Sequence, residues 1–480
     1  MKTRMTKLSL AVCKELCTFA EDKKEEIMSP IKNTLSLLSF VMCLLIILTG
    51  CIGASQKSLS ETDAQEKSLL EIAAETVETY ALTEKEQTIV RNGNDISIKL
   101  FKKIAESEKD NNVFVSTIGM FYSLNIINNG ASGQTQQEIC KALNIASTDV
   151  ERVNRLCRRF MIGQAKVVED NIQGSSSYMR TATLFQAGEK VDINKSFQDV
   201  LEQNYFAGIV KGRIDSTIQQ KIDNWCVEQT EGLLEGLRIN ETGDSSANLL
   251  VANYFNGRWI QKFDKEKTKE EPFYGGTSSK APMMNQIERE KIFSYAKLKD
   301  FSMLKIPYVG DYHLYIILPD KVDGLTALLQ SLDGDIIRTA IDQLFTYDLI
   351  YVKLPKFEVH YSFKANHFLS SLGISRMFSR DFELNRIQPM PMIIEDVLQN
   401  AKVIMDEDGT RAGALTSTSF ITKKGIVNPT KAYFYADHPF AYIIEDPFGN
   451  YCFMGTFWGG ILSIRALRTD ALWEHPVVEL

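Results

Sequence analysis

The chain has 480 residues, 44% hydrophobic and 24% charged, with a formal net charge of −7. That composition supports a sizeable core, and its acidic balance argues against nucleic acid as a partner. Five histidines (His313, His360, His367, His438, His475) fall in no HExxH or Cys/His pattern, and no GxSxG, Walker or GxGxxG element occurs, so the sequence offers no catalytic residue, metal site or cofactor site.

Residues 34–49 (TLSLLSFVMCLLIILT) carry no charge and follow Lys32. So short a span suits a signal-peptide core better than a membrane crossing, with an uncleaved anchor as the alternative. It ends in Leu48-Thr49-Gly50-Cys51, which resembles a bacterial lipobox. The resemblance implies cleavage before Cys51, lipidation of Cys51, and a protein tethered to the cell envelope, facing the periplasm or the cell surface. The charge run Glu21 to Glu26 does not suit a signal approach, so the start is expected at Met28. Residues 1–50 therefore read as an extension plus signal peptide, and polar, acidic 51–86 as a lipidated tether. Cys140, Cys157, Cys226 and Cys452 are too scattered for a disulfide scaffold and read as small buried hydrophobes.

From 87 to 457 the texture is compact and mixed. Apolar spacing predicts helices near 95–106, 117–129, 134–143, 151–161, 194–204, 216–229, 324–332 and 365–373. Strand-like runs cover 176–186, 248–255, 301–308, 312–318, 349–359, 432–436, 440–445 and 450–457. Helices gather early and strands late, which predicts an α+β fold without internal repeats. Residues 458–480 read as an appendage. Between two strand-like segments lies 407–430 (EDGTRAGALTSTSFITKKGIVNPT). A connection longer than about 15 residues within a compact domain is usually functional or disordered.

Several fragments, in this order, resemble the serpin family: Asn112 to Asn144 (NVFVSTIGMFYSLNIINNGASGQTQQEICKALN), Asn253 to Trp259 (NYFNGRW) with Phe263, and Leu304 to Asp320 (LKIPYVGDYHLYIILPD). Further on come Leu354 to His360 (LPKFEVH), Phe434 to Ile444 (FYADHPFAYII) and Phe453-Met454-Gly455, with Ala441 where a larger apolar residue is usual. The resemblance implies a serpin domain over 87–457, with a large central sheet, further sheets, eight or nine helices and an exposed reactive loop at 407–430. It implies an inhibitor, not an enzyme: a monomer whose loop is attacked by a serine protease, forms a covalent acyl-enzyme, and inserts as a strand before hydrolysis finishes.

Insertion makes a demand on sequence, because alternate side chains of a strand point to opposite faces. Glu407 and Gly409 begin the family's hinge. Thr410, Ala412, Ala414 and Thr416, all small, are expected to face the core. Arg411, Gly413, Leu415 and Ser417 fall on the other parity. Small polar residues would also make a flexible linker, but strict smallness on one parity, with Arg411 and Leu415 confined to the other, favours insertion. The family's usual scissile position falls at Lys423, with Lys424 as the alternative. Lysine there suits a trypsin-like protease with a carboxylate in its specificity pocket, although a solvated lysine pair reads equally simply.

The residues that let the family's sheet open are expected at Ser116, Asn253, Trp259 and Gln399. Thr117 replaces a proline, Gly119 a second serine, and Val251 stands where asparagine is expected, with Asn253 two residues on and facing the same side. These departures favour the alternative of a non-inhibitory serpin acting as a binding protein at the envelope. Arg152, Arg155 and Arg159 share one helical face. In some serpins this region binds sulfated polyanions, while an ordinary solvated face is the simpler reading.

Overall fold

Thr83 and Glu86 form a capping box that starts the first long helix: Thr83 Oγ1 accepts from the Glu86 N–H at 3.4 Å, and the Glu86 carboxylate accepts from the Thr83 N–H at 2.8 Å. The helix therefore begins well before the predicted 95. The computed structural model describes residues 69–75, 80–167, 169–170, 174–234, 236–239, 243–410, 428–460 and 462–465, which all belong to one unit spanning 67–480. A short helix, α1 (Leu69–Glu75), lies within the stretch read as a tether. After it come α2 (Glu84–Ser107), β1 (Val113–Ser116), α3 (Thr117–Gly130), α4 (Gly133–Leu143) and α5 (Val150–Ala165). Nearly every residue of α3 is buried, including the polar Thr117, Ser123, Asn125 and Asn128.

A small ribbon, β2 (Glu169–Asp170) with β3 (Gly174–Ser175), precedes β4 (Tyr178–Ala187), α6 (Lys195–Tyr205), β5 (Gly208–Lys211), α7 (Ser216–Gln229) and β6 (Ser246–Arg258). Next come β7 (Lys269–Pro272), β8 (Lys280–Glu288), β9 (Ser294–Lys297), β10 (Phe301–Pro307), β11 (His313–Pro319), α8 (Leu325–Ser331) and α9 (Gly334–Asp342). The run predicted as one strand over 349–359 is two, β12 (Leu349–Pro355) and β13 (Phe357–Lys364), in different sheets. Pro355 has no N–H to extend a ladder, so the chain can switch sheets there. The remainder is α10 (Asn366–Ser371), β14 (Ile393–Met405), β15 (Gly409–Thr410), β16 (Lys431–Tyr435), β17 (Phe440–Glu445), β18 (Tyr451–Phe457) and β19 (Leu462–Arg465).

The strands form a seven-stranded sheet in the order β19-β13-β14-β15-β6-β4-β5, a six-stranded sheet β1-β18-β17-β11-β10-β9, and a four-stranded sheet β16-β12-β8-β7. Helix α3 packs between the two larger sheets, touching β18 on one side and β6 and β14 on the other. The architecture is the expected α+β fold around a large central sheet. On the outer face of that sheet, Ile218 and Ile222 of α7 cluster with Leu237 over Leu184, Leu250 and Leu398, and Cys226 and Leu234 cover Ala182 and Ala252. Both faces of the sheet are therefore dry at this level, which explains strands that read as continuous apolar runs.

Candidate functional site

The central pair of the large sheet is parallel. β14 and β6 pair from Ile393↔Ser246 to Ala401↔Asn253, with an irregularity between Ile394 and Asp396. Beyond Ala401 the two strands part, and β15 enters between them. Thr410 pairs with Met405 of β14 and with Gly257 of β6, and Gly409 with Arg258. The sheet is zipped at one end and already holds the first two hinge residues at the other.

Thr410 is buried, and its hydroxyl lies 2.8 Å from the Tyr308 hydroxyl, on the core side that strand parity assigns it. Gly409 has φ +151°, and a Cβ there would lie 2.1 Å from the Gly257 carbonyl oxygen, so only glycine fits. The turn before it is clamped by charge. Glu407 is buried and accepts from Lys356 Nζ at 2.9 Å and Thr268 Oγ1 at 2.8 Å. Burial pushes its carboxyl up, but those two hydrogen bonds outweigh burial and hold it below its ordinary value. Burial likewise works against Asp408, whose bonds from Lys262 (2.8 Å) and Lys265 (2.6 Å) win. Asp406 goes the other way: burial raises it, despite N–H bonds from Asp408 and Gly409 at 2.9 and 3.1 Å. Trp259 stacks on Tyr308, with ring centroids 4.2 Å apart, and donates its indole N–H to the Asp406 carbonyl at 2.9 Å.

Deeper in the sheet, Gln399 exchanges two bonds with the Ser116 backbone, accepting from its N–H at 2.8 Å and donating to its carbonyl at 2.7 Å. The Ser116 hydroxyl caps α3 by accepting from the Gly119 N–H at 3.3 Å. Thr117 donates its hydroxyl to the Tyr451 carbonyl. Asn253 donates to Thr181 Oγ1 at 2.9 Å, while its own amide oxygen is buried without a partner among the described residues. A Cβ at Gly119 would lie 2.6 Å from that oxygen and 3.0 Å from Val251 Cγ1. Gly119, Val251 and Asn253 are therefore one packing solution. The amide reaches from the sheet into space that a serine on the helix would fill.

An insertable strand slot, a seated hinge and a small-residue segment of matching parity are what the resemblance demands. The chain matches the family described as Serpin (serine protease inhibitor) over residues 91–459. The chain belongs to the serpins. It is 28% identical to Serpin-ZX from Hordeum vulgare over 73% of this chain and 91% of that one. It is also 28% identical to serine proteinase inhibitor 2 from rabbitpox virus, over 75% and 97%. Among solved structures, the thermophilic serpin tengpin in its native state aligns with a TM-score of 0.69 at 25% identity, covering 83% of this chain and all of that one.

Of the serpin residues expected from sequence, the structure brings Glu407, Gly409, Thr410 and Trp259 together at the open end of the sheet, and Ser116, Gln399 and Asn253 beneath its zipped part. Ala412, Ala414, Thr416, Lys423, Lys424 and Cys51 lie outside the described residues. The clamp residues Lys262, Lys265, Thr268, Tyr308, Lys356, Asp406 and Asp408 were not foreseen. The acidic triplet before Gly409, set against the Lys262-x-x-Lys265 spacing, was the available signal.

The arginines on α5 are each near a carboxylate. Arg152 lies 3.3 Å from Asp149, Arg155 3.8 Å from Glu151, and Arg159 3.7 Å from Glu86. Arg159 also donates to the Ala81 carbonyl at 2.9 Å and lies over the Phe448 ring. The positive charge of this face is largely offset by its own neighbours. The four cysteines of the domain are buried and free, as expected.

Proposed function

We propose that this serpin inhibits a trypsin-like serine protease by suicide-substrate trapping, with cleavage after Lys423 and insertion of the hinge between β14 and β6. The observation that carries the reading is the seated start of the insertion. Gly409 already pairs with β6, Thr410 pairs with both β14 and β6, and Thr410 faces the core. Residues 411–413 enter the gap where the two strands have already parted, and from residue 414 each one replaces a β14–β6 pairing with two new ones, so the cut loop gains ladder hydrogen bonds and burial as it goes. The protease serves as the chemical trigger, since only a cut frees the loop to travel.

The test is incubation with a panel of serine proteases, followed by denaturing electrophoresis and sequencing of the released C-terminal peptide. A complex that survives denaturant, with a peptide beginning at Lys424, is the expected result. Cleavage without any complex across the panel would leave the chain a substrate or a binding protein.

We further propose that the protein works at a cell envelope, held by lipid on Cys51, on the strength of the Leu48-Thr49-Gly50-Cys51 sequence. Cys51→Ser should then block lipidation and processing, leaving a precursor that retains residues 34–49. Equal processing of the variant and wild type would remove the lipid anchor from the account.

A further inference from the structure

A long strand at the edge of a sheet offers a row of unpaired N–H and C=O groups to any other extended chain. Most edges here are blunted by being short. β1, β5, β7 and β9 have four residues each, and β16 has five. β5 carries Gly208 and Lys211, and β7 reads Lys269-Glu270-Glu271-Pro272, a sequence with the charges and proline that discourage pairing.

β13 has none of these devices. It runs eight residues (FEVHYSFK) in unbroken antiparallel register with β14, from Phe357↔Met405 to Lys364↔Leu398. It contains no proline, glycine or bulge, and alternates buried aromatic and β-branched residues with half-exposed polar ones. Its polar side chains turn toward β14 rather than toward the open edge. Glu358 pairs with Lys402 at 2.6 Å and Lys364 with Asp396 at 2.6 Å, while His360 and Ser362 both reach Asn400.

What covers this edge is the chain's own C-terminal segment. After β18 the backbone turns through Gly459 and Gly460, with φ of +107° and +83°. Asn112 fixes the turn, accepting from the Trp458 N–H at 2.6 Å and donating to the Gly459 carbonyl at 3.0 Å. β19 then lies parallel to β13, from Glu358↔Leu462 to Tyr361↔Arg465. We propose that β19 is an edge guard, which occupies the outer edge of β13 over residues 358–361 and keeps an extended segment of a second copy of this chain from adding there. The guard lies on the β13–β14 side of the slot, so it travels with that half when the sheet parts and leaves insertion unobstructed. It rests on the fold alone, independent of which protease is trapped.

Two variants test it: a chain ending at Gly460, and the full chain with Ser463→Pro and Ile464→Pro, which removes N–H donors of both strand parities. Light scattering after size exclusion gives the oligomeric state, and hydrogen exchange reports on residues 358–361. The wild type should be monomeric with these amides protected. Dilute variants, with unchanged far-ultraviolet circular dichroism, should exchange at least tenfold faster at the amides of 358–361 that face β19. On concentration they should associate and regain protection there. Variants that stay monomeric on concentration, or that associate without renewed protection at 358–361, would overturn the proposal, as would association of the wild type under the same conditions.

Discussion

Ala412→Arg is expected to be cut as a substrate while the protease goes free. Continuing the register set by Met405↔Thr410 and Gly257↔Thr410 places Ala412 opposite Val403 and Phe255, Ala414 opposite Ala401 and Asn253, and Thr416 opposite Gln399 and Val251. All six of these partners are buried. An arginine at 412 would enter between Val403 and Phe255 with no counter-charge, at a cost of about 3 kcal/mol or more. Insertion and hydrolysis compete from one acyl-enzyme, and each 1.36 kcal/mol on the insertion barrier slows it about tenfold. The ratio of protease released to protease trapped should therefore rise roughly a hundredfold, and the number of inhibitor molecules consumed per protease inactivated, which is one plus that ratio, should rise with it. Arg411→Glu is the control. Its register neighbours are Ile404 and Asn256, both only partly buried on the other face, so its stoichiometry should stay near the wild type. Leu415→Arg, on the same parity as Arg411, should nevertheless fail. Position 415 falls opposite Asn400 and Ala252, which are buried beneath the segment around Cys226 to Gly236. A leucine suits that dry site, and a charge does not.

Lys423→Phe should redirect the trap. A pocket built around a carboxylate loses its ion pair when lysine is absent, and such sites reject analogues lacking the polar group by roughly 10⁴-fold. The association rate with trypsin-like proteases should fall by about that factor, while chymotrypsin-like proteases gain. If the variant still traps trypsin-like proteases at the wild-type rate, and its released peptide begins at Gly425, Lys424 is the scissile residue and the register moves by one.

The start of the hinge at Gly409 and Thr410 was legible because its requirement is local. A run of small residues on one strand parity can be checked without knowing what lies across from it, and the structure supplies Val403, Phe255 and Tyr308 as the wall they must fit. The departures at Gly119 and Val251 were not legible in the same way. Read singly they look like a weakened cluster; only the 2.6 Å approach of Asn253 Oδ1 to the Cβ position of residue 119 shows them as one exchange of volume between helix and sheet. The early start of α2 was written in Thr83 and Glu86, but its polar first turns hide the apolar period. Separation of β12 from β13 depends on which sheet each half joins, a tertiary decision that alternation cannot express. Four residues of β19 carry too short a pattern to announce a strand, and their pairing follows from the bare edge of β13.

The most direct test of trapping by insertion is the structure of the domain after cleavage in the 407–430 loop. The account predicts a full-length strand between β14 and β6, with Ala412, Ala414 and Thr416 facing the core. Gln399 and Val251 should then both pair with Thr416 rather than with each other. A cleaved chain that keeps the Gln399↔Val251 pairing, with the loop still outside the sheet, would contradict it.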